Sequence, residues 1–302
     1  MAEQIVKAVK CTVPKEEVMR IKGLGFLRDK RSEDKFNGRV ITRNGMITSE
    51  ECEIIAKAAK IFGSGKVAFT SRMTVEVQGI PYANIDAFCA FLNENSLETG
   101  GTGAKVRPVV SCKGTTCQFG LIDTYALSLD IHNRFYKGYH DVTLPHKFKI
   151  AVGGCPNNCV KPELNDIGII GQRVPEFDAD KCKGCKKCAV QDACPIKVAR
   201  LEDGKIKRDA NECNNCGRCI EKCPFAVTGR FTNGYKVYIG GRWGKKTAVA
   251  QPLPKIFTSR EEVLDVIEKA ICFFKEKGIQ GERFADTIAR IGFDETVKEI
   301  LG

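Results

Sequence analysis

Residues 144–159 read LPHKFKIAVGGCPNNC. The segment KFKIAV, residues 147–152, reads as a strand, and on a strand Lys147 and Lys149 point to the same face. Two cations held side by side repel each other unless an anion lies between them. The Gly153–Gly154 pair lets backbone approach closely, and the chain then delivers Cys155 and Cys159 with the amides of Asn157 and Asn158 beside them. Two cysteines complete no metal site, so partners must come from elsewhere in the chain.

Sixteen of the 302 residues are cysteine, and twelve of them lie in tight clusters. A long chain with clustered cysteines and no export signal uses them as metal ligands or redox groups rather than disulfides. Cys11, Cys52, Cys89 and Cys272 stand apart and are expected to be small buried hydrophobes. Residues 213–224, CNNCGRCIEKCP, follow C-x2-C-x2-C-x3-C-P, and residues 182–195, CKGCKKCAVQDACP, repeat the triple with a longer gap before its last cysteine. Zinc sites pair two CxxC units across a longer gap, whereas a repeated triple, each closed by Cys-Pro, suits iron and sulfide.

The two motifs together resemble bacterial two-cluster ferredoxins. The resemblance implies one [4Fe–4S] cluster on Cys182, Cys185, Cys188 and Cys223, and another on Cys213, Cys216, Cys219 and Cys194. One more pair is then left, Cys112 and Cys117 in SCKGTTCQFG, residues 111–120. With Cys155 and Cys159 they make four thiolates, enough for a third cubane.

Further cations precede these pairs: Arg72 in TSRMTVEV and Arg107 in KVRPVV, both read as strand segments. Arg72, Arg107, Lys147 and Lys149 beside a redox cluster make a site for a small oxyanion. The formal charge of +11 invites a nucleic-acid reading. Three four-thiolate cubanes at about −2 each would remove roughly six units, and the basic residues are dispersed, so no nucleic-acid partner is expected. The start, MAEQIVKAVKCTVPKEEV, has no basic segment followed by an apolar one. No apolar run approaches the roughly 18 residues that span a bilayer, so the expectation is a cytoplasmic chain without a membrane partner.

The rest of the chain mixes helical and strand patterns, an α+β class. GRVIT (38–42) reads as a strand, and Thr48 with Glu51 makes a capping box opening a helix that Gly63 closes. Asn84 is the expected N-cap of a second helix, KVRPVVS (105–111) a strand, 124–136 a helix, and three helices close the chain from near 258, 282 and 294. GSGK (63–66) lacks phosphate-loop spacing, and no nucleotide fold is expected. The expected segments are an N-terminal stretch 1–20, a half-domain 21–96, a catalytic domain 97–177 plus 231–302, and an inserted two-cluster ferredoxin domain 178–230.

TSRMTVEVQGI, VRPVVSC, LPHKFK, GGCPNNC and YIGGRWGK together resemble the siroheme-dependent nitrite and sulfite reductase family, in particular its short anaerobic members with one copy of the reductase repeat. The resemblance implies a nitrite/sulfite reductase-like fold, with a ferredoxin-like half-domain and a siroheme/[4Fe–4S] domain. It implies a siroheme joined to a cluster through Cys159, with Cys112, Cys117 and Cys155 completing the cluster. Arg72, Arg107, Lys147 and Lys149 match the basic residues around sulfite, with nitrite as an alternative substrate. Arg39, Arg242 and Lys245 are candidates to pair with the siroheme carboxylates. The first cysteine pair has four intervening residues where the family commonly has five, which shifts Thr116 within a shortened loop beside the cofactor. The resemblance also implies an electron-donor protein, or partner subunits carrying flavin and iron–sulfur clusters. A second copy of the chain or a partner subunit would complete the cofactor enclosure.

Overall fold

In the computed structural model, residues 8–302 are described, so the first seven residues of the 1–20 segment lie outside it. In chain order the elements begin with α1 (Lys15–Gly23), β1 (Phe26–Arg28), β2 (Lys35–Val40), α2 (Ser49–Phe62), β3 (Val67–Phe69), β4 (Val75–Pro81) and α3 (Ile85–Glu94). They continue with β5 (Val110–Ser111), α4 (Thr124–Ile131), β6 (Ile150–Gly153), β7 (Ile167–Glu176), α5 (Ala189–Ala193), β8 (Ala199–Glu202) and β9 (Lys205–Arg208). The last are β10 (Arg230–Ile239), β11 (Gln251–Phe257), α6 (Arg260–Lys277), α7 (Phe284–Ile291) and α8 (Phe293–Leu301). Two compact units form among the described residues, interleaved in sequence: residues 8–110, 128–150 and 271–287 in the first, and 111–127, 151–270 and 288–302 in the second.

The first unit contains a four-stranded antiparallel sheet in the order β1-β2-β4-β3. Its α2 opens with the full capping box: the Glu51 N–H donates to Thr48 Oγ1 at 3.2 Å, and the Thr48 N–H donates to Glu51 Oε2 at 2.9 Å. The same carboxylate accepts two bonds of 2.7 Å from Arg43. That pairing, more than burial, holds the Glu51 carboxyl below its ordinary range. The sheet packs through Phe26, Phe36 and Phe88, with Phe26 and Phe88 edge to face at 5.8 Å. A second aromatic group in this unit joins Phe148, Phe274 and Phe284, all fully buried, with centroids 5.2 to 5.8 Å apart.

The second unit is built on a five-stranded sheet in the order β11-β10-β7-β6-β5. β7 and β10 pair antiparallel along their whole length, from Ile167 opposite Ile239 to Glu176 opposite Arg230. The intervening residues 177–229 are therefore the loop of one long hairpin. They form their own small fold, with the β8–β9 hairpin, α5, and a core in which Cys182 and Cys194 sit among Val190, Val198, Ile206 and Val227. So few apolar side chains make a small core, the situation in which metal ligation usually supplies the missing stability.

Several expectations change. Pro108 carries no N–H for a ladder, and of 105–111 only Val110 and Ser111 form a strand, with one isolated bridge from Val106 to Phe148. Lys147 and Lys149 lie just before β6 rather than within it. Arg72 is in the β3–β4 turn, not on a strand. Asn84 ends a short 3-10 turn and makes no side-chain cap bond. The helix expected over 124–136 is α4 followed by a π-helical stretch, His132–Lys137. Cys52 is exposed, because it falls on the outward face of α2, while Cys11, Cys89 and Cys272 are half-buried.

Since the strand ends at Glu176 and Arg230 are directly paired, replacing residues 177–229 by an Asn-Gly turn is expected to leave a soluble, cooperatively unfolding remainder with its circular dichroism intact. Loss of the cooperative transition would show that the inserted segment is part of the host core.

Candidate functional site

Cys112 directly follows β5, and Cys117 follows a 3-10 turn at Gly114–Thr116; Cys155 and Cys159 follow β6. The two loops interlock through backbone. The Cys112 N–H donates to Val152 O at 3.0 Å, the Leu121 N–H donates to Gly154 O at 2.9 Å, and the Gly154 N–H donates to Cys112 Sγ at 3.1 Å. A Cβ on Gly154 would stand 2.8 Å from Gly114 Cα, so the chains touch where neither carries a side chain. Fully buried Thr124 donates its hydroxyl to Cys112 O at 2.7 Å and accepts from the Thr115 N–H, fixing the first loop.

Burial pushes the Cys155 thiol up, the Asn157 N–H opposes this, and Cys112, Cys159 and Cys117 each push it further. Four sulfurs this close repel as thiolates, and a cationic iron–sulfide core relieves that repulsion. Among the described residues no three His, Cys, Asp or Glu side chains converge tightly enough for a single metal ion. Cubane ligands stand farther apart than that, and the four-sulfur donor set with its glycine cradle fits such a cluster.

In the inserted segment, burial first, then Cys213, with Cys216 and Cys194 also contributing, pushes the Cys219 thiol up to about 11. Those four are mutual neighbours. Burial works to raise the Cys194 thiol, but the N–H groups of Ala199, Val198, Ile196 and Lys197 outweigh it and favour thiolate. Cys182 is held low by the Gly184 N–H and also accepts from the Ile206 N–H at 3.3 Å. Cys188 and Cys223 pack on the same small core as Cys182, and Cys185 is exposed.

A cavity of about 530 Å³ is lined by Cys155 and Asn157 on one side and by Cys216 and Arg218 on the other. β7 touches both loops two residues apart. A Cβ on Gly171 would meet Gly154 O at 2.5 Å, and the Arg173 N–H donates to Asn215 O at 2.8 Å. The Arg173 stem fills the space beside Gly217, and the Arg218 guanidinium lies 4.9 Å from the Phe119 ring centroid. Sequence reading missed Phe119, Arg173 and Arg218, because the pairing spans long stretches of chain and leaves no local pattern.

The oxyanion-site candidates belong to the first unit. Arg72 donates to Pro108 O at 2.8 Å and to Ile150 O at 3.1 Å, which fixes its guanidinium. Arg107 donates to Gly101 O, and its Nε is buried without a hydrogen bond. Burial, followed by repulsion from Arg39, lowers the Arg107 pKa to about 10, which still leaves it charged at neutral pH; Arg283, which sequence reading missed, adds repulsion. Lys147 and Lys149 are half-buried on either side of Phe148, whose ring is anchored against Phe274 and Phe284. The π-helical stretch brings Tyr136, whose hydroxyl accepts from the Gly101 N–H at 3.1 Å, and His132, whose pKa burial lowers to about 4.

The remaining candidates are dispersed. Thr116 and Asn157 are exposed. Asn158, at φ 57°, donates to Glu163 at 2.7 Å and keeps a buried Oδ1 without a hydrogen bond. Arg39 belongs to the first unit and is 3.4 Å from Glu76, whereas Arg242 and Lys245 lie in a hairpin of the second. No helix among the described residues is long and apolar enough to cross a membrane.

Comparison with known proteins matches residues 28–95 to the nitrite/sulfite reductase ferredoxin-like half domain and residues 102–302 to the nitrite and sulphite reductase 4Fe-4S domain. The chain is 31% identical over 275 residues to a coenzyme F420-dependent sulfite reductase of Methanocaldococcus jannaschii, covering 90% of this chain and 43% of that protein. It is 29% identical to a subunit of the anaerobic sulfite reductase of Salmonella typhimurium, over 77% of this chain and 72% of that one. It thus spans less than half the length of the archaeal relative. The solved structure of dissimilatory sulfite reductase I superposes with a TM-score of 0.70 at 22% identity, covering 89% of this chain and 69% of that one. The α+β architecture is the nitrite/sulfite reductase fold, and the chain belongs to the nitrite and sulphite reductase 4Fe-4S domain family.

Proposed function

We propose that the chain reduces sulfite to sulfide at a siroheme joined, through the Cys159 thiolate, to a [4Fe–4S] cluster shared with Cys112, Cys117 and Cys155. The carrying observation is that Cys112, Cys117 and Cys159 all act on Cys155 across two loops that touch at Gly114 and Gly154. The two further cysteine sets of the inserted segment suit two ferredoxin-type [4Fe–4S] clusters. The cations Arg39, Arg242 and Lys245 are candidates to pair with the carboxylates of a polycarboxylate cofactor. When bound, siroheme with its cluster would supply the electrons and the metal centre at which sulfite is reduced.

The chain's own residues supply the rest. Arg72 and Arg107 offset the charge of the oxyanion, and the carbonyls that hold them fix their orientation before substrate arrives. Lys147 Nζ and Lys149 Nζ relay protons to the oxygens that leave as water, each lysine being reprotonated from solvent, so that six protons accompany the six electrons. Sulfite consumes six electrons, delivered one at a time through the inserted segment from a donor protein or from flavin and iron–sulfur partner subunits. Sulfite is favoured over nitrite by the extent of the matches. The relatives named as sulfite reductases match over 70% or more of the chain, those named as nitrite reductases over 43%.

Anaerobic purification followed by an optical spectrum, iron and sulfide counts, and sulfite-dependent oxidation of a reduced dye tests this reading. The expected result is siroheme with about three cubanes and a higher kcat/KM for sulfite than for nitrite. Protein that yields no extractable siroheme sinks it.

Lys149→Met is expected to lower kcat/KM for sulfite about 10²-fold with the cofactor spectrum unchanged, the scale for losing one charge-stabilising group. Gly154→Ala is expected to force the two cysteine loops apart, lowering iron content by about one cubane while the ferredoxin-type clusters remain, as read by iron analysis and electron paramagnetic resonance.

A further inference from the structure

The two ferredoxin-type triples give an internal comparison. Residues 182–188 read CKGCKKC and residues 213–219 read CNNCGRC. Both loops place cysteines at the same spacing, yet Lys183, Lys186 and Lys187 stand where the second loop has Asn214, Gly217 and Arg218. Wrapping a cluster therefore does not require those lysines.

The environments of the two loops differ as well. Cys216, Gly217 and Arg218 line the cavity shared with Cys155, so that loop faces the rest of its unit. In the first loop Cys185 is exposed, and so are Lys181, Lys183, Lys186 and Lys187. Of the acids close in sequence or space, Asp178 pairs with Lys181 at 2.9 Å, Lys207 pairs with Asp203 at 2.9 Å and with Glu202 at 3.6 Å, and Asp180 and Asp192 are exposed and, among the described residues, in no ion pair. Among the described residues, none forms an ion pair with Lys183, Lys186 or Lys187. Three unpaired cations thus ring the one exposed thiol of the set. Like charges held together gain most from an oppositely charged surface, and such patches raise encounter rates at low salt.

We propose that the Lys181–Lys187 loop is the docking surface for an acidic one-electron carrier protein. This rests on the reading of residues 182–223 as iron–sulfur ligands. In each encounter the reduced carrier loses one electron and this chain gains one. The proton needed for sulfite chemistry is taken up elsewhere, so the docking step transfers charge alone.

The test uses the full chain with its clusters and, as probe, a small acidic two-cluster ferredoxin. Calorimetric titration with the oxidised probe reads binding. Stopped-flow bleaching of iron–sulfur absorbance by the reduced probe, without sulfite, reads electron uptake. The triple variant Lys183→Glu/Lys186→Glu/Lys187→Glu is expected to weaken binding and slow uptake at least tenfold at low salt, and to flatten the salt dependence of both. Reduction by dithionite, a small reductant that needs no docking surface, is expected to stay unchanged.

The neutral triple, Lys183→Gln/Lys186→Gln/Lys187→Gln, is expected to fall between the two and guards against misfolding of the reversed one. Equal binding and uptake in wild type and both variants would overturn the proposal, leaving these lysines as plain solvated surface. Loss of iron or of dithionite reduction in the neutral triple would also overturn it, by assigning the lysines to cluster assembly. So would tight duplex DNA binding that the variants abolish while uptake from the carrier is unaffected. Because neither readout needs sulfite, failure of the sulfite reading leaves the docking result interpretable.

Discussion

The close approach of Gly114 and Gly154 is the constraint on which the cysteine site depends. Four sulfurs on two loops can share one cluster only if the loops come within a backbone's width of each other. That demands bare Cα atoms on both sides. The neighbouring hydrogen bonds, from the Gly154 N–H to Cys112 Sγ and from the Leu121 N–H to Gly154 O, then set the register of one loop on the other. Thr124, buried and bonded to Cys112 and Thr115 of the first loop, does the same from behind. Backbone N–H donors to sulfur also recur around Cys182 and Cys194 in the inserted segment. Such donors favour thiolate and stabilise the reduced, more negative state of a bound cluster.

Charge is handled differently in the first unit. Arg72 and Arg107 are bound to backbone carbonyls, which orient them. Lys147 and Lys149 are spaced by Phe148, and the phenylalanine triangle holds that spacer against its core. A cation whose geometry is fixed by packing and carbonyls loses little entropy when an anion arrives.

Local signals in the sequence were read correctly where one short stretch decides the outcome. The Thr48–Glu51 box produces its helix because both partners lie within one turn. In the inserted segment Cys194, Cys213 and Cys216 all act on Cys219. The Gly153–Gly154 pair was legible as a place for close approach, but Gly114, which fills the other side, was not. Strand expectations failed where a proline removed a donor, at Pro108; Asn84 does take the N-cap position of α3, but the preceding 3-10 turn leaves it in helical conformation without a side-chain cap bond. The contacts of Arg173, Arg218 and Phe119, and the crowding of Arg283 on Arg107, depend on tertiary pairing over long separations. No periodicity encodes them.

The inserted segment leaves and rejoins its host at one hairpin stem, Glu176 beside Arg230. A stem alone is a hinge, free to swing about its own axis. The hydrogen bond from Arg173 to Asn215 and the Arg218–Phe119 contact add a second point of attachment, and two separated points turn a hinge into a clamp. Electron tunnelling falls off exponentially with distance, so a swinging segment would give a spread of transfer rates governed by its farthest excursions. A clamped one gives a single rate. On the proposed electron route, Arg173 and Arg218 would thereby set the regularity of transfer out of the inserted segment.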